Sequence, residues 1–197
     1  MTKSIRFKKM LECIEEKHWA LVYPLKGKDQ WPSLWHHLYP RRPMNWSWDS
    51  EADPRISQLW ADREDLASQK LAVYTKYFRD RATFFSKPYF VSLLREHRPW
   101  TKKPSDRLSR WLLDSLLDNT PQSTKMLKRR WRSLDGSAPN GNWDRSLKTL
   151  FRGLWIVGLG EEDDGAFPSL RLGATELAWE ELWQEAQCEG DGFLKAR

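Results

Sequence analysis

The order of helical and extended patterns between residues 105 and 186 is the feature that most constrains the fold of this chain. Three segments carry apolar residues at helical spacing, and each begins at a residue type that caps helix N-termini. Two short apolar runs on either side of an acidic turn then predict a β-hairpin, and one amphipathic helix closes the region. The segments are helices beginning at Ser105, Ser123 and Asn142, strands at 154–159 and 166–172, and a final helix at 175–186.

Three helices followed by a two-stranded hairpin is the order of a winged-helix domain, which is a variant of the helix-turn-helix. A small α+β core with no nucleic-acid role is the alternative that this order leaves open. Pro168 falls in the second strand of the hairpin. Because proline cannot donate to a strand ladder, it predicts that this strand lies at an edge of its sheet.

A stretch rich in proline and basic residues at 98–105 predicts a boundary near residue 100. We therefore divide the chain into a Trp-rich, mainly helical domain at 1–100 and a winged-helix domain with a closing helix at 101–197. In the first domain, the apolar spacing predicts one long helix over 61–80 and a brief strand at 83–85. The whole chain is predicted to be α+β and mostly helical.

Charge is strongly segregated along the chain. Residues 101–160 hold 12 Lys and Arg against 5 Asp and Glu, whereas residues 161–197 hold 3 against 10. A local block of basic residues favours a polyanionic partner such as duplex DNA.

Several short motifs then indicate a family. In the second half they are LLD at 112–114, STKML at 123–127, WDRSLK at 143–148 and LWIV at 154–157. In the first half they are LVYP at 21–24, PSLW at 32–35, YTK at 74–76 and TFFS at 83–86, with Trp48 and Trp60.

The second half resembles the winged-helix modules of AlkZ-type DNA crosslink glycosylases, and the first half looks like the amino-terminal part of short bacterial AlkZ-related proteins. The resemblance implies a DNA-associated bacterial protein, linked to DNA repair or regulation. It does not carry over base excision, because those glycosylases are longer and use a Gln-x-Gln or Gln-x-Asp motif. This sequence contains neither motif.

The candidate DNA-binding residues are basic and lie on the second and third predicted helices of the second half. In a winged helix the third helix enters the major groove, and neighbouring elements hold phosphates. A solvated helix face with no ligand is the alternative for these side chains. The residues are Arg145, Lys148 and Arg152 for the groove, and Lys125, Lys128, Arg129 and Arg132 for the phosphates.

The tip of the predicted wing is acidic, with four carboxylates that would repel DNA: Glu161, Glu162, Asp163 and Asp164. Either the wing points away from the DNA, or this domain is a protein-interaction module that uses the acidic wing and tail. Both interpretations stay open at this point.

Tryptophan is unusually abundant, with 13 residues in 197. Six of them, Trp111, Trp131, Trp143, Trp155, Trp179 and Trp183, fall at or beside predicted core positions. Four others surround Arg41 and Arg42 and form a candidate aromatic pocket for an extruded base, with core packing as the alternative. These four are Trp31, Trp35, Trp46 and Trp48.

No catalytic motif is found, so we do not predict an enzyme, although a glycosylase-like repair enzyme remains an alternative. The pair His36 and His37 points in two directions on a helix and does not predict a metal site, and no cofactor is predicted. Cys13 and Cys188 are far apart in the sequence and are expected to be reduced thiols. With no membrane span or secretory signal, we expect a cytoplasmic protein of unspecified oligomeric state.

Overall fold

The computed structural model describes residues 1–25, 31–44, 53–134, 140–163 and 168–192. Within them the chain forms a mostly helical α+β fold, as predicted. The helices are α1 Lys3–Lys17, α2 Leu34–Leu38, α3 Pro54–Ser68, α4 Lys87–His97, α5 Arg107–Asp118, α6 Thr124–Leu134, α7 Asn140–Arg152, α8 Thr175–Ala178 and α9 Glu180–Gly192. The strands are β1 Trp19–Leu21, β2 Val73–Thr75, β3 Thr83–Phe85, β4 Gln122–Ser123, β5 Ile156–Glu162 and β6 Ser169–Ala174.

The strands form one antiparallel sheet in the order β1-β3-β2-β5-β6-β4. Strands β1 to β3 come from the first hundred residues and β4 to β6 from the rest, so the sheet crosses the predicted boundary. The two sets of strands meet where Tyr74 of β2 lies opposite Gly158 of β5. The division into domains at residue 100 stays a prediction.

Helices cover both faces of the central strands. In β2, Val73 packs with α4 and α9, whereas the adjacent Tyr74 faces α1 and α3. Phe84 and Phe85 of β3 alternate in the same way. A third apolar cluster lies among α5, α6, α7 and the β5–β6 hairpin. Every residue of β2 and β3 is buried, so the burial of these strands does not alternate between two faces.

The stretch that follows α4 is packed against the second half. Pro99 is buried in a short 3-10 helix, Pro99–Thr101. Its carbonyl accepts a hydrogen bond of 3.0 Å from the indole N–H of Trp155. This proline-rich stretch is thus attached to the hairpin side of the molecule.

The predicted long helix over 61–80 is wrong. Helix α3 is capped by Asp53, whose carboxylate accepts a hydrogen bond from the backbone N–H of Arg55. The helix ends at Ser68, and Lys70 takes a left-handed conformation with φ 53°. The chain then continues into β2, because the burial of Val73 and Tyr74 between two helical layers outweighs their helical spacing.

The predicted edge position of the second hairpin strand is also wrong. Strand β6 pairs with β5 on one side and with β4 on the other. Pro168 precedes β6, so the ladder does not need its missing N–H. The two-residue strand β4 was not predicted, and the closing helix is divided into α8 and α9 at Trp179. Among the helices of the described ranges, none is long and apolar enough to cross a membrane.

The contact between Gly158 and Tyr74 gives a test of the junction between the two sets of strands. A Cβ atom at position 158 would overlap the Tyr74 ring. We expect Gly158→Ala to lower the free energy of unfolding by about 1–3 kcal/mol, as overpacking does. In a Tyr74→Ala background the penalty is expected to be smaller, because the ring is gone. Urea unfolding of the wild type, the two single variants and the double variant measures both penalties, and equal penalties would contradict the contact.

The two cysteines give a test of the packing in the first half. Cys13 is 2% exposed and lies in the apolar cluster that α1, α2 and α3 form, whereas Cys188 is exposed. Burial raises the pKa of the Cys13 thiol to about 11. Since only a thiolate reacts, one thiol of the folded chain is expected to react with a disulfide reagent at about pH 8, and two after unfolding. The Cys188→Ser variant should show no fast-reacting thiol. Rapid labelling of that variant in the folded state would contradict the burial of Cys13.

Candidate nucleic-acid interface

Helix α6 has one buried side and one basic side. The Ser123 hydroxyl caps it by accepting a hydrogen bond of 3.1 Å from the backbone N–H of Met126. Leu127 and Trp131 face the core. The four predicted phosphate-binding residues lie on the side that is at least partly open to solvent: Lys125 and Lys128, which are half-buried, and Arg129 and Arg132, which are exposed.

Helix α7 shows the same division. Trp143, Ser146, Leu150 and Phe151 are buried. The predicted groove-binding residues lie on the other side and are exposed: Arg145, Lys148 and Arg152. The basic side of α7 is therefore not covered by the rest of the described chain.

The two helices share one apolar cluster and are joined by a cation–π contact. The Lys128 ammonium lies 6.0 Å from the centre of the Trp143 ring, so the basic row of α6 reaches the first turns of α7. The Trp131 ring of α6 packs on Trp111 of α5 at 5.1 Å between ring centroids.

Asp106 fixes α7 against α5. Its carboxylate caps α5 by accepting a hydrogen bond of 2.8 Å from the Ser109 N–H, and it accepts another of 3.0 Å from the Ser146 hydroxyl of α7. Partial burial tends to raise the pKa of this carboxyl, but the hydrogen bonds from Ser109 and Ser146 outweigh burial and the pKa is lowered. The ionised carboxylate therefore holds the start of α5 to the middle of α7.

Asp80, which the sequence did not indicate, contacts the basic side of α7. Its two carboxylate oxygens accept hydrogen bonds of 2.9 and 2.8 Å from the Arg152 guanidinium. The Lys148 ammonium lies 3.7 Å from the same carboxylate. Asp80 reaches α7 because Arg79 and Asp80 both take left-handed conformations, with φ of 51° and 59°. Two of the three predicted groove-binding residues thus share one carboxylate.

The hairpin segment predicted to be an acidic wing is not uniformly exposed. Glu161 forms an ion pair of 2.5 Å with Arg63 of α3, whose side chain is 1% exposed. The Glu161 backbone N–H also donates a hydrogen bond of 3.1 Å to Glu64. Glu162 and Asp163 are exposed, and Asp164 lies outside the described residues. The start of the wing therefore faces α3, and Glu161 contributes to the packing of the molecule.

The predicted aromatic pocket is only partly described, because Trp46 and Trp48 lie outside the described residues. Trp35 is fully buried, and its indole N–H donates a hydrogen bond of 3.0 Å to the Arg42 carbonyl. Trp31 is half-buried and packs edge-on against Phe78 at 5.1 Å between centroids. Trp35 thus belongs to the core, whereas Trp31 lines a separate cavity.

That cavity has a volume of about 550 Å³ and is also lined by Cys13, His36 and His37. Within the part of the chain that the structure describes, no group of three His, Cys, Asp or Glu side chains could hold a metal ion.

A different cavity, of about 490 Å³, lies beside the Asp80 contact. Aromatic rings form one part of its wall, and charged side chains form another. The sequence did not indicate it, because the lining residues come from four separate parts of the chain. Its lining includes Tyr23, Trp60, Tyr74, Lys76, Asp80 and Arg81.

Comparisons with known proteins identify the family of this chain. No curated protein and no solved structure matches the chain. A family model described as AlkZ related matches residues 6–189, which is nearly the whole sequence. The chain therefore belongs to the AlkZ-related family.

Proposed function

We propose that this protein binds duplex DNA through the outer sides of α6 and α7. The observation that carries the proposal is the set of seven basic side chains, five exposed and two half-buried, on the outer sides of these two helices. Lys and Arg side chains on adjacent helices attract the phosphate backbone and release its counterions. Membership of the AlkZ-related family supports a link to DNA repair.

The order of elements supports a winged-helix mode of binding. The chain runs from helix α5 through strand β4 to helices α6 and α7, and then to the β5–β6 hairpin. Strand β4 closes one edge of the sheet by pairing with β6. In this mode α7 enters the major groove and α6 lies against the backbone. The ion pair of Glu161 with Arg63 removes one carboxylate from the face that would meet the phosphates.

Arg145 offers the sharpest test, because it is exposed and lies on α7 away from Asp80. A wild-type chain is expected to bind a labelled duplex of about 20 base pairs at about 50 mM salt, and to lose affinity steeply by about 200 mM. We expect Arg145→Ala to weaken binding severalfold and to make the salt dependence shallower, because one cation fewer lies in the major groove of the DNA. Fluorescence anisotropy measures both quantities.

Lys9→Ala is the matched control, because Lys9 is an exposed residue of α1 and its loss changes the net charge equally. It should leave binding close to wild type. The proposal fails if the wild type shows no binding at about 50 mM salt or no salt dependence. It also fails if Arg145→Ala and Lys9→Ala behave alike.

Asp80 should oppose DNA binding, because its carboxylate occupies Arg152 and Lys148 in the absence of phosphate. We expect Asp80→Asn to tighten binding to the same duplex by about 3- to 10-fold and to steepen the salt dependence, since two cations gain access to phosphates. Asp114→Asn, at an exposed position of α5, is the control of equal charge change. Weaker binding by Asp80→Asn would show instead that the carboxylate orients Arg152 for DNA.

A further inference from the structure

The cavity beside Asp80 combines two kinds of wall. Tyr23, Trp60 and Tyr74 supply aromatic surface, and Lys76 and Arg81 supply positive charge. Its volume of about 490 Å³ falls in the range of small-molecule sites, about 300–1,000 Å³. A ligand that suits such walls has a planar apolar ring and an anionic group.

The aromatic wall is held in place before any ligand binds. The Tyr23 hydroxyl donates a hydrogen bond of 2.6 Å to the Ile56 carbonyl. The Tyr23 and Trp60 rings are parallel within 7°, with centroids 6.4 Å apart. The Arg63 guanidinium lies 3.9 Å from the centre of the Trp60 ring and supports it from the buried side. Trp60 nevertheless remains 41% exposed, which is unusual for an indole held by so many contacts.

The charged wall carries an excess of positive charge. Asp80 is already shared with Arg152 and Lys148. Among the residues that the structure describes, neither Lys76 nor Arg81 forms an ion pair with a carboxylate. Two cations beside a single carboxylate that is already shared favour a phosphate over a neutral ligand.

From these walls we infer that the cavity binds a single nucleotide, with its base against Trp60 and Tyr23 and its phosphate near Lys76 and Arg81. Stacking on an aromatic side chain accepts any base, because every base has a π-face. Since Asp80 both lines the cavity and contacts Arg152, the cavity opens beside the basic side of α7. The nucleotide is therefore either free in solution or an unpaired nucleotide of DNA bound by α6 and α7. The second source rests on the proposed function.

Calorimetric titration with deoxyadenosine monophosphate tests the cavity without DNA. We expect saturable binding, with weaker binding of adenosine, which lacks the phosphate, and of deoxyribose 5-phosphate, which lacks the base. Trp60→Ala should weaken nucleotide binding about 10-fold, as the loss of one stacking partner does, and Trp60→Phe should retain most of it. Lys76→Ala should weaken binding of the nucleotide but not of adenosine, and Lys9→Ala serves as its charge control.

Thermal unfolding of each variant shows whether it is folded. If Trp60→Ala does not fold, nucleotide binding by Trp60→Phe and Lys76→Ala decides whether the cavity is the binding site. No nucleotide binding up to about 10 mM would overturn the inference for a free ligand, because a site with both walls should bind more tightly than that. Equal binding of deoxyribose 5-phosphate would overturn the role of the aromatic wall.

Two duplexes distinguish the sources, one fully paired and one with a single unpaired adenine. A preference for the unpaired adenine that Trp60→Ala abolishes assigns the cavity to DNA. Nucleotide binding with no such preference assigns it to a free nucleotide. Nucleotide binding by a chain that binds neither duplex would support the cavity and overturn the DNA-binding proposal. Absence of both nucleotide binding and the preference overturns the inference entirely.

Discussion

The buried ion pair between Arg63 and Glu161 is the interaction on which the rest of the structure depends. The two residues are 98 positions apart, and the Arg63 side chain is 1% exposed. A cation at such a depth is tolerated only with a countercharge and further partners, and here Glu161, Trp60 and Tyr74 provide them. The pair joins α3 to β5 at the point where the strand bulges between Gly158 and Glu161. It thereby holds β5, of the second set of strands, against α3, whose buried side packs with Tyr74 of the first set.

The candidate sites follow from this packing. With β2 paired to β5, the chain that leaves β2 passes the end of α7, and the left-handed Arg79 and Asp80 turn a carboxylate towards Arg152. The same packing places Trp60 and Tyr74 at the wall of the cavity that Asp80 also lines. The basic side of α7 and the aromatic cavity are therefore neighbours, and one carboxylate touches both. The two surfaces are therefore coupled electrostatically. An anion that displaces the Asp80 carboxylate from Arg152 would change the charge of both the α7 surface and the cavity wall.

Local patterns predicted much of the second half correctly. The Ser123 cap, the buried sides of α6 and α7 and the hairpin are where the sequence predicted them, and Trp131, Trp143, Trp179 and Trp183 are buried as expected. The first half was predicted less well. Tyr74 continues the apolar spacing of a helix, yet it lies in a three-residue strand, because a strand buried on both faces has no alternation to distinguish it. Of the candidate aromatic residues, the sequence could not separate the fully buried Trp35 from the half-buried Trp31, since both lie beside the same prolines.

The sequence by itself determined the fold class, the order of elements in the second half and the basic sides of two helices, because each depends on residues within a few turns of one another. It also determined the family, because the family depends on the motif pattern of the whole chain. Only the tertiary structure decided that Glu161 of the acidic wing faces Arg63, that Asp80 neutralises part of the α7 surface, and that rings from separate segments enclose a cavity beside it. The two ion pairs join residues 98 and 72 positions apart, and the rings come from positions 23, 60 and 74. Periodicity and capping report only short-range geometry, so long-range pairings of this kind leave no local signal in the sequence.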